Sequence, residues 1–102
     1  MPKRYHITLG ATTTAGGKVT RASAMLSIDG ARIALEGDEV SCPACNATGI
    51  IRADGPRLGE RYGNRQVALG GDLCMCKCRP PPRLVSNQTH KAQFVEGDWL
   101  PT

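Results

Sequence analysis

All five cysteines of this 102-residue chain fall in two short clusters, Cys42-Pro43-Ala44-Cys45 and Cys74-Met75-Cys76-Lys77-Cys78. Each cluster follows a glycine–aspartate pair, Gly37-Asp38 in one case and Gly71-Asp72 in the other. A chain that brings the two together holds the thiolates for one tetrahedral ion. Composition shows why such a tie is needed. There are 12 glycines and 7 prolines, and the aromatics are only Tyr5, Tyr62, Phe94 and Trp99. So little large apolar surface cannot alone offset the entropy of ordering the chain. A structural metal is the usual supplement at this size.

The length fits one domain. No secretory apolar run follows Lys3 and Arg4, and no window is long enough for a membrane helix. Synthesis in a reducing cytoplasm is therefore expected, where an odd, clustered set of cysteines reads as metal ligands before disulfides. The formal charge of +4 permits an anionic partner. The basic residues are scattered from Lys3 to Lys91 without a block, the pattern of solvated surface charge.

Alternation of Tyr5, Ile7 and Leu9 predicts a strand from Arg4 to Leu9. Asp29-Gly30 is a hairpin signal that turns the ambiguous stretch before it towards strands. Further strands are expected over 32–36 and 66–70, with a hairpin-like turn at Tyr62-Gly63-Asn64-Arg65. Pro80-Pro81-Pro82 should stop regular pairing, since proline has no donor for a ladder. Residues 1–85 form the expected body and 86–102 a polar C-terminal extension with one short edge strand near Gln93 to Val95. The prediction is all-β, with little or no helix. Ile7, Leu9, Ile33 and Leu35 are the candidate core.

An internal repeat sets the architecture. Ile33-Ala34-Leu35-Glu36-Gly37-Asp38 aligns with Val67-Ala68-Leu69-Gly70-Gly71-Asp72, and the same offset lays Cys42 over Cys76. Ile7-Thr8-Leu9-Gly10-Ala11 is a weaker third copy, with Ala15 at the cysteine position. Three strand-turn units predict a pseudo-threefold body whose turns meet at one end.

The candidate ligands are Cys42, Cys45, Cys74, Cys76 and Cys78, four of which are expected to bind, with Cys42, Cys45 and Cys76 placed first. Four thiolates around one zinc make a closed, structural site rather than a catalytic one, and iron accepts the same donors. A redox role for Cys42-Pro43-Ala44-Cys45 would want the pair opening a helix, and Asn46-Ala47-Thr48-Gly49 is a poor helix start. Lys77, Arg79 and Arg83 lack nearby aromatics to stack bases, so a zinc-ribbon nucleic-acid module is the alternative reading and no nucleic acid is expected. Asp38 and Asp72 read as turn-stabilising carboxylates. His6 and His90 read as surface residues.

In order, these pieces resemble the PAAR-repeat proteins, the pointed tips of type VI secretion spikes. The resemblance runs through Leu9-Gly10-Ala11-Thr12-Thr13-Thr14-Ala15-Gly16-Gly17, Ile28-Asp29-Gly30-Ala31-Arg32-Ile33-Ala34, Gly37-Asp38-Glu39-Val40-Ser41-Cys42-Pro43 and Val67-Ala68-Leu69-Gly70-Gly71-Asp72-Leu73-Cys74. It covers roughly residues 5–85. It implies a small cone of short strands with a zinc near its apex, seated on a trimeric VgrG spike and performing no catalysis. It also implies secretion by the type VI apparatus without a signal peptide, transient contact with a target membrane, and effector cargo bound non-covalently. Ala11 and Ala15 depart from the family pattern, Ala15 standing where many members carry a histidine ligand. Cys45, Cys76 and Cys78 are the substitutes.

Overall fold

A computed structural model describes residues 3–95, and among them the chain is all-β, with a single 3-10 turn at Pro43–Cys45 and no α-helix. The last part of the expected C-terminal extension, residues 96–102 with Trp99, lies outside the described residues.

The centre is a ring of three chain segments around Ile7, Ala34 and Ala68. The Ile7 amide donates to the Ala68 carbonyl, Ala68 to Ala34, and Ala34 back to Ile7, at 2.8–3.0 Å. Isolated bridges His6↔Leu69, Thr8↔Ile33 and Leu35↔Val67 repeat the same relation. Each segment then turns through a glycine in the left-handed region, Gly10, Gly37 and Gly71 at φ of 90, 92 and 91°. A side chain there is strained, so the repeated glycine follows from the turn itself. The third copy, Ile7 to Ala11, is thus a full member of the pseudo-threefold set.

Successive residues of an extended segment point to opposite faces, so the ring has two sides. Ile7, Ala34 and Ala68 face one core with Val19, Val40, Ile51 and Leu84; Ile33, Leu35, Val67 and Leu69 face a second with Ala24. On the first side three hairpins close a barrel. They are β2 (Thr12–Thr13) with β3 (Lys18–Val19), β6 (Glu39–Cys42) with β7 (Ala47–Arg52), and β10 (Leu73–Met75) with β11 (Leu84–Val85). The sheet order is β10-β7-β6-β3-β2-β11, and the Leu73↔Arg83 bridge joins its ends.

Three two-stranded pieces lie outside that sheet. β4 (Ser27–Ile28) and β5 (Ala31–Arg32) turn at Asp29-Gly30, both at positive φ as a two-residue turn of this kind requires. β8 (Arg61–Tyr62) and β9 (Arg65–Gln66) turn at Gly63-Asn64. The third is assembled from both chain ends, β12 (Ala92–Phe94) pairing antiparallel with β1 (Lys3–Tyr5). Equivalent amide bonds seat each piece on the ring: Ile33 to the Leu26 carbonyl, Val67 to Glu60 and His6 to Lys91.

Two expectations change. Leu9 is 44% exposed whereas Ile7, Ile33 and Leu35 are buried, because the turn closed by the Ala11 amide on the Thr8 carbonyl breaks the alternation. His6 is buried rather than on the surface. Its Nε2 lies 2.8 Å from Glu60 Oε1, at the ring position where Ile33 and Val67 stand in the other copies. His90 is exposed, beside Asp29.

Buried charge takes the place of apolar bulk at two corners. Asp72 accepts from the Leu69 amide at 2.9 Å, the Asp54 amide at 3.0 Å, Arg4 at 2.9 Å and Arg57. Arg4 also donates to the carbonyls of Gly70 and Pro56. Asp38 accepts from the Leu35 and Ser23 amides, the Ser23 hydroxyl and Arg65. Burial opposes its ionisation, yet these donors hold its pKa below the ordinary carboxylate value. Both carboxylates hold their own turns. At the third corner the positions equivalent to Arg4 and Arg65, and to Asp72 and Asp38, are Ala31 and Ala11. Cation and carboxylate are absent together, which avoids an uncompensated buried charge.

Glu60 ties the end-built piece to the ring, contacting His6, Lys91 Nζ at 3.0 Å and Gln93 Nε2 at 3.2 Å. Burial opposes its ionisation, but these partners bring its pKa down to about 2 from 4.5. The folded value lies below the unfolded one. The stabilisation is therefore full above about pH 4.5 and is lost as pH falls through 2. Denaturant titrations should show wild type losing about 1–2 kcal/mol more than Glu60→Gln between pH 7 and pH 3; parallel pH profiles would count against this assignment.

Candidate metal centre

Within the barrel, inward positions recur in layers two residues apart. Thr13, Val40 and Cys74 occupy one layer, equivalent by the ring register and all buried. Two residues on, the same register aligns Cys42 with Cys76, both packed on the barrel core, and with Ala15 in the turn of the first hairpin. The second layer lies at the hairpin ends, where the barrel core gives out.

After Cys42 the chain makes one 3-10 turn, Pro43–Cys45, with proline supplying the fixed φ and no donor lost. Asn46 follows in the left-handed region and returns its amide to the Pro43 carbonyl at 3.2 Å. The turn swings Cys45 back to the thiol of Cys42. On the neighbouring hairpin the Cys76 amide donates to the Cys74 carbonyl, and the Cys78 amide approaches Cys76 Sγ at 3.5 Å. The ligand atoms of Cys42, Cys45, Cys76 and Cys78 all lie within 4.8 Å of one another. Cys42 Sγ is 3.4 Å from Cys76 Sγ and 3.6 Å from Cys78 Sγ.

The spacing suits an ion. Four sulfurs about 2.3 Å from a tetrahedral metal stand about 3.8 Å apart. The electrostatics agree. Sharing with Cys76, then burial, raises the Cys42 pKa, and contact with Cys42 and Cys45 pushes Cys78 up to about 12. Burial also opposes ionisation of Cys45, but the Lys77 amide and the surrounding thiols bring it down to about 7. Crowded thiols cannot all ionise alone; a dication at their centre allows it, and its binding displaces their protons.

Of the five candidates, the structure brings four together and leaves Cys74 apart. Cys74 is fully buried in the layer beneath, and burial pushes its pKa up to about 12. A Cβ added at Gly49 would lie 2.7 Å from Cys74 Sγ and 2.8 Å from the Met75 carbonyl oxygen. Backbone at that distance cannot yield cheaply. Gly49→Ala should cost about 1–3 kcal/mol in chemical denaturation, and an unchanged midpoint would show that β7 and β10 separate more readily than their packing implies.

The first hairpin supplies no sulfur. Thr13 Oγ1 instead accepts from the Gly17 amide at 2.9 Å and the Ala15 amide at 3.2 Å, closing the loop on itself. The candidate ligands come entirely from the second and third hairpins, so an ion there sits to one side of the threefold arrangement. Sequence reading missed the Arg4–Asp72 and His6–Glu60 contacts, which join residues 68 and 54 positions apart. The repeat register carried a signal for the first, since it sets Arg4 against Arg65.

The fold and the thiol cluster define a small, repeat-built β-protein with a candidate structural metal site. A family model described as the PAAR motif matches residues 9–81, and the chain belongs to that family. The motif implies a type VI secretion spike-tip role, and its family comprises structural, secreted proteins that are not enzymes. No curated protein and no solved structure matches the chain significantly. Among the described residues no helix is long and apolar enough to cross a membrane.

Proposed function

We propose that this chain is a metal-tied tip that caps the blunt end of a trimeric VgrG spike. The observation that carries the reading is the cyclic hydrogen bonding of Ile7, Ala34 and Ala68, which makes one chain present three equivalent corners to a threefold partner. Capping calls for apolar surface outside the barrel. Met25, Leu26, Leu58 and Phe94 are exposed on or beside the outer strand pairs.

The centre's role in this reading is mechanical. One zinc, held by Cys42, Cys45, Cys76 and Cys78, ties the β6–β7 and β10–β11 hairpins where the body has no room for a core. Metal–thiolate bonds of a closed site resist splaying without any exchangeable position. The protein is made in the cytoplasm and leaves with the spike, touching the target membrane transiently. Effector cargo binds non-covalently.

Co-expression with the cognate spike protein tests the proposal. One tip per spike trimer by native mass spectrometry is the expected result. A folded, metal-loaded tip that never associates with its cognate spike would contradict it.

A further inference from the structure

The thiol cluster places the best-matched pair of sulfurs across a gap rather than within a loop. Cys42 closes β6 on the second hairpin, and Cys76 follows β10 on the third. They hold equivalent positions in neighbouring repeats, their Sγ atoms 3.4 Å apart. The strands that carry them are already registered through β7, with Cys42 opposite Ala47 and Cys74 opposite Ile51. Closing the remaining distance needs a small movement of hairpin ends that the ladder below keeps aligned.

We propose that Cys42 and Cys76 are a modification site: when the ion is lost under oxidising conditions, they form a disulfide that ties the same two hairpins. The oxidant is a small-molecule disulfide such as glutathione disulfide. The half-buried Cys76 thiolate attacks one of its sulfurs, forming a mixed disulfide and expelling one glutathione thiolate. The buried Cys42 thiolate then attacks the Cys76 sulfur and expels the second. Two protein thiolates are oxidised, one glutathione disulfide is reduced to two thiolates, and the ion leaves to solvent or chelator. The end of the barrel exchanges one cross-link for another. A protein built in a reducing compartment and carried into an oxidising one would keep its hairpins joined on both sides of that passage.

This inference rests on the four-thiol centre and not on spike capping. Its test uses the full chain as purified, with its metal content measured first. The protein is incubated with glutathione disulfide and a chelator, then digested with trypsin, which separates Cys76 from Cys78 at Lys77 and releases Cys42 on the peptide 33–52. The expected result is a loss of about 2 Da per chain, parallel metal release, and a link between peptides 33–52 and 66–77 that fragmentation places at Cys42 and Cys76. The oxidised protein should melt above the chelated, reduced protein, and Cys76→Ser should lack the link. A loop within 33–52 joining Cys42 to Cys45, a link to Cys78, cross-linking between chains, or metal release without the cross-hairpin link would each overturn the proposal. A chain that carries no metal as purified but still forms the Cys42–Cys76 link would instead count against the metal centre.

Discussion

Replacing Cys42 with serine is expected to release the metal and lower the melting temperature by about 15–30 °C. The size follows from two scales. A structural zinc in a small domain contributes about 10 kcal/mol or more in apparent terms at neutral pH, whereas a whole domain has a net stability of about 5–15 kcal/mol. Loss of one thiolate need not remove all of that contribution. Forfeiting about 4 kcal/mol already gives the stated shift, at about 4–8 °C per kcal/mol for domains of this size. Cys42 is the strongest test among the five because it is buried and lies within 3.6 Å of sulfurs from the other hairpin. Prolonged chelation of the wild-type protein should produce a shift in the same direction. Differential scanning calorimetry with parallel metal analysis reads both. A Cys42→Ser variant that melts within a few degrees of wild type would mean that barrel packing, not the ion, holds this end together.

Asp72→Asn is expected to destabilise the fold by about 3–5 kcal/mol, the range for breaking a buried ion pair. Neither Asp72 nor Arg4 has an exposed side chain. Burial already lowers the Arg4 pKa, opposed chiefly by the attraction of Asp72. Removal of the carboxylate charge takes that attraction from the buried guanidinium and an ionic acceptor from Arg57, Leu69 and Asp54. Asp54 provides the comparison, because its pair with Arg83 is 40% exposed on the carboxylate side. Asp54→Asn should cost no more than about 1 kcal/mol. Equal midpoints for the two variants in urea would show that the Arg4–Asp72 pair is not the fixed point that its burial indicates.

Much of this was legible in the residues because the repeat is written in groups that backbone geometry demands. Glycine at 10, 37 and 71 marks turns in the left-handed region, and isoleucine or alanine three residues before each marks the ring. The cysteine clusters announced a candidate metal centre for a similar reason: thiolates at short spacing have few other uses in a core-poor chain. What could not be read was which sulfur would stand aside. Cys74 and Cys76 are two apart and face the same way, so the choice depends on depth in the barrel, which is set by the register of β10 against β7. His6 was misplaced for a related reason. Its burial comes from Glu60, which the Val67 amide seats beside the ring, and from Lys91 and Gln93, which approach because the chain ends pair as β1 and β12. Local pattern carries no information about such a meeting. Leu9 shows the converse failure, where alternation is sound until a turn ends the strand.

The most direct test of the four-thiol centre is native mass spectrometry of the wild-type chain and its five single cysteine-to-serine variants. One metal ion per chain is expected in wild type and in Cys74→Ser, and none at stoichiometric occupancy in Cys42→Ser, Cys45→Ser, Cys76→Ser or Cys78→Ser. Metal retained at full occupancy by any of those four, or lost from Cys74→Ser while the protein remains folded, would contradict the assignment.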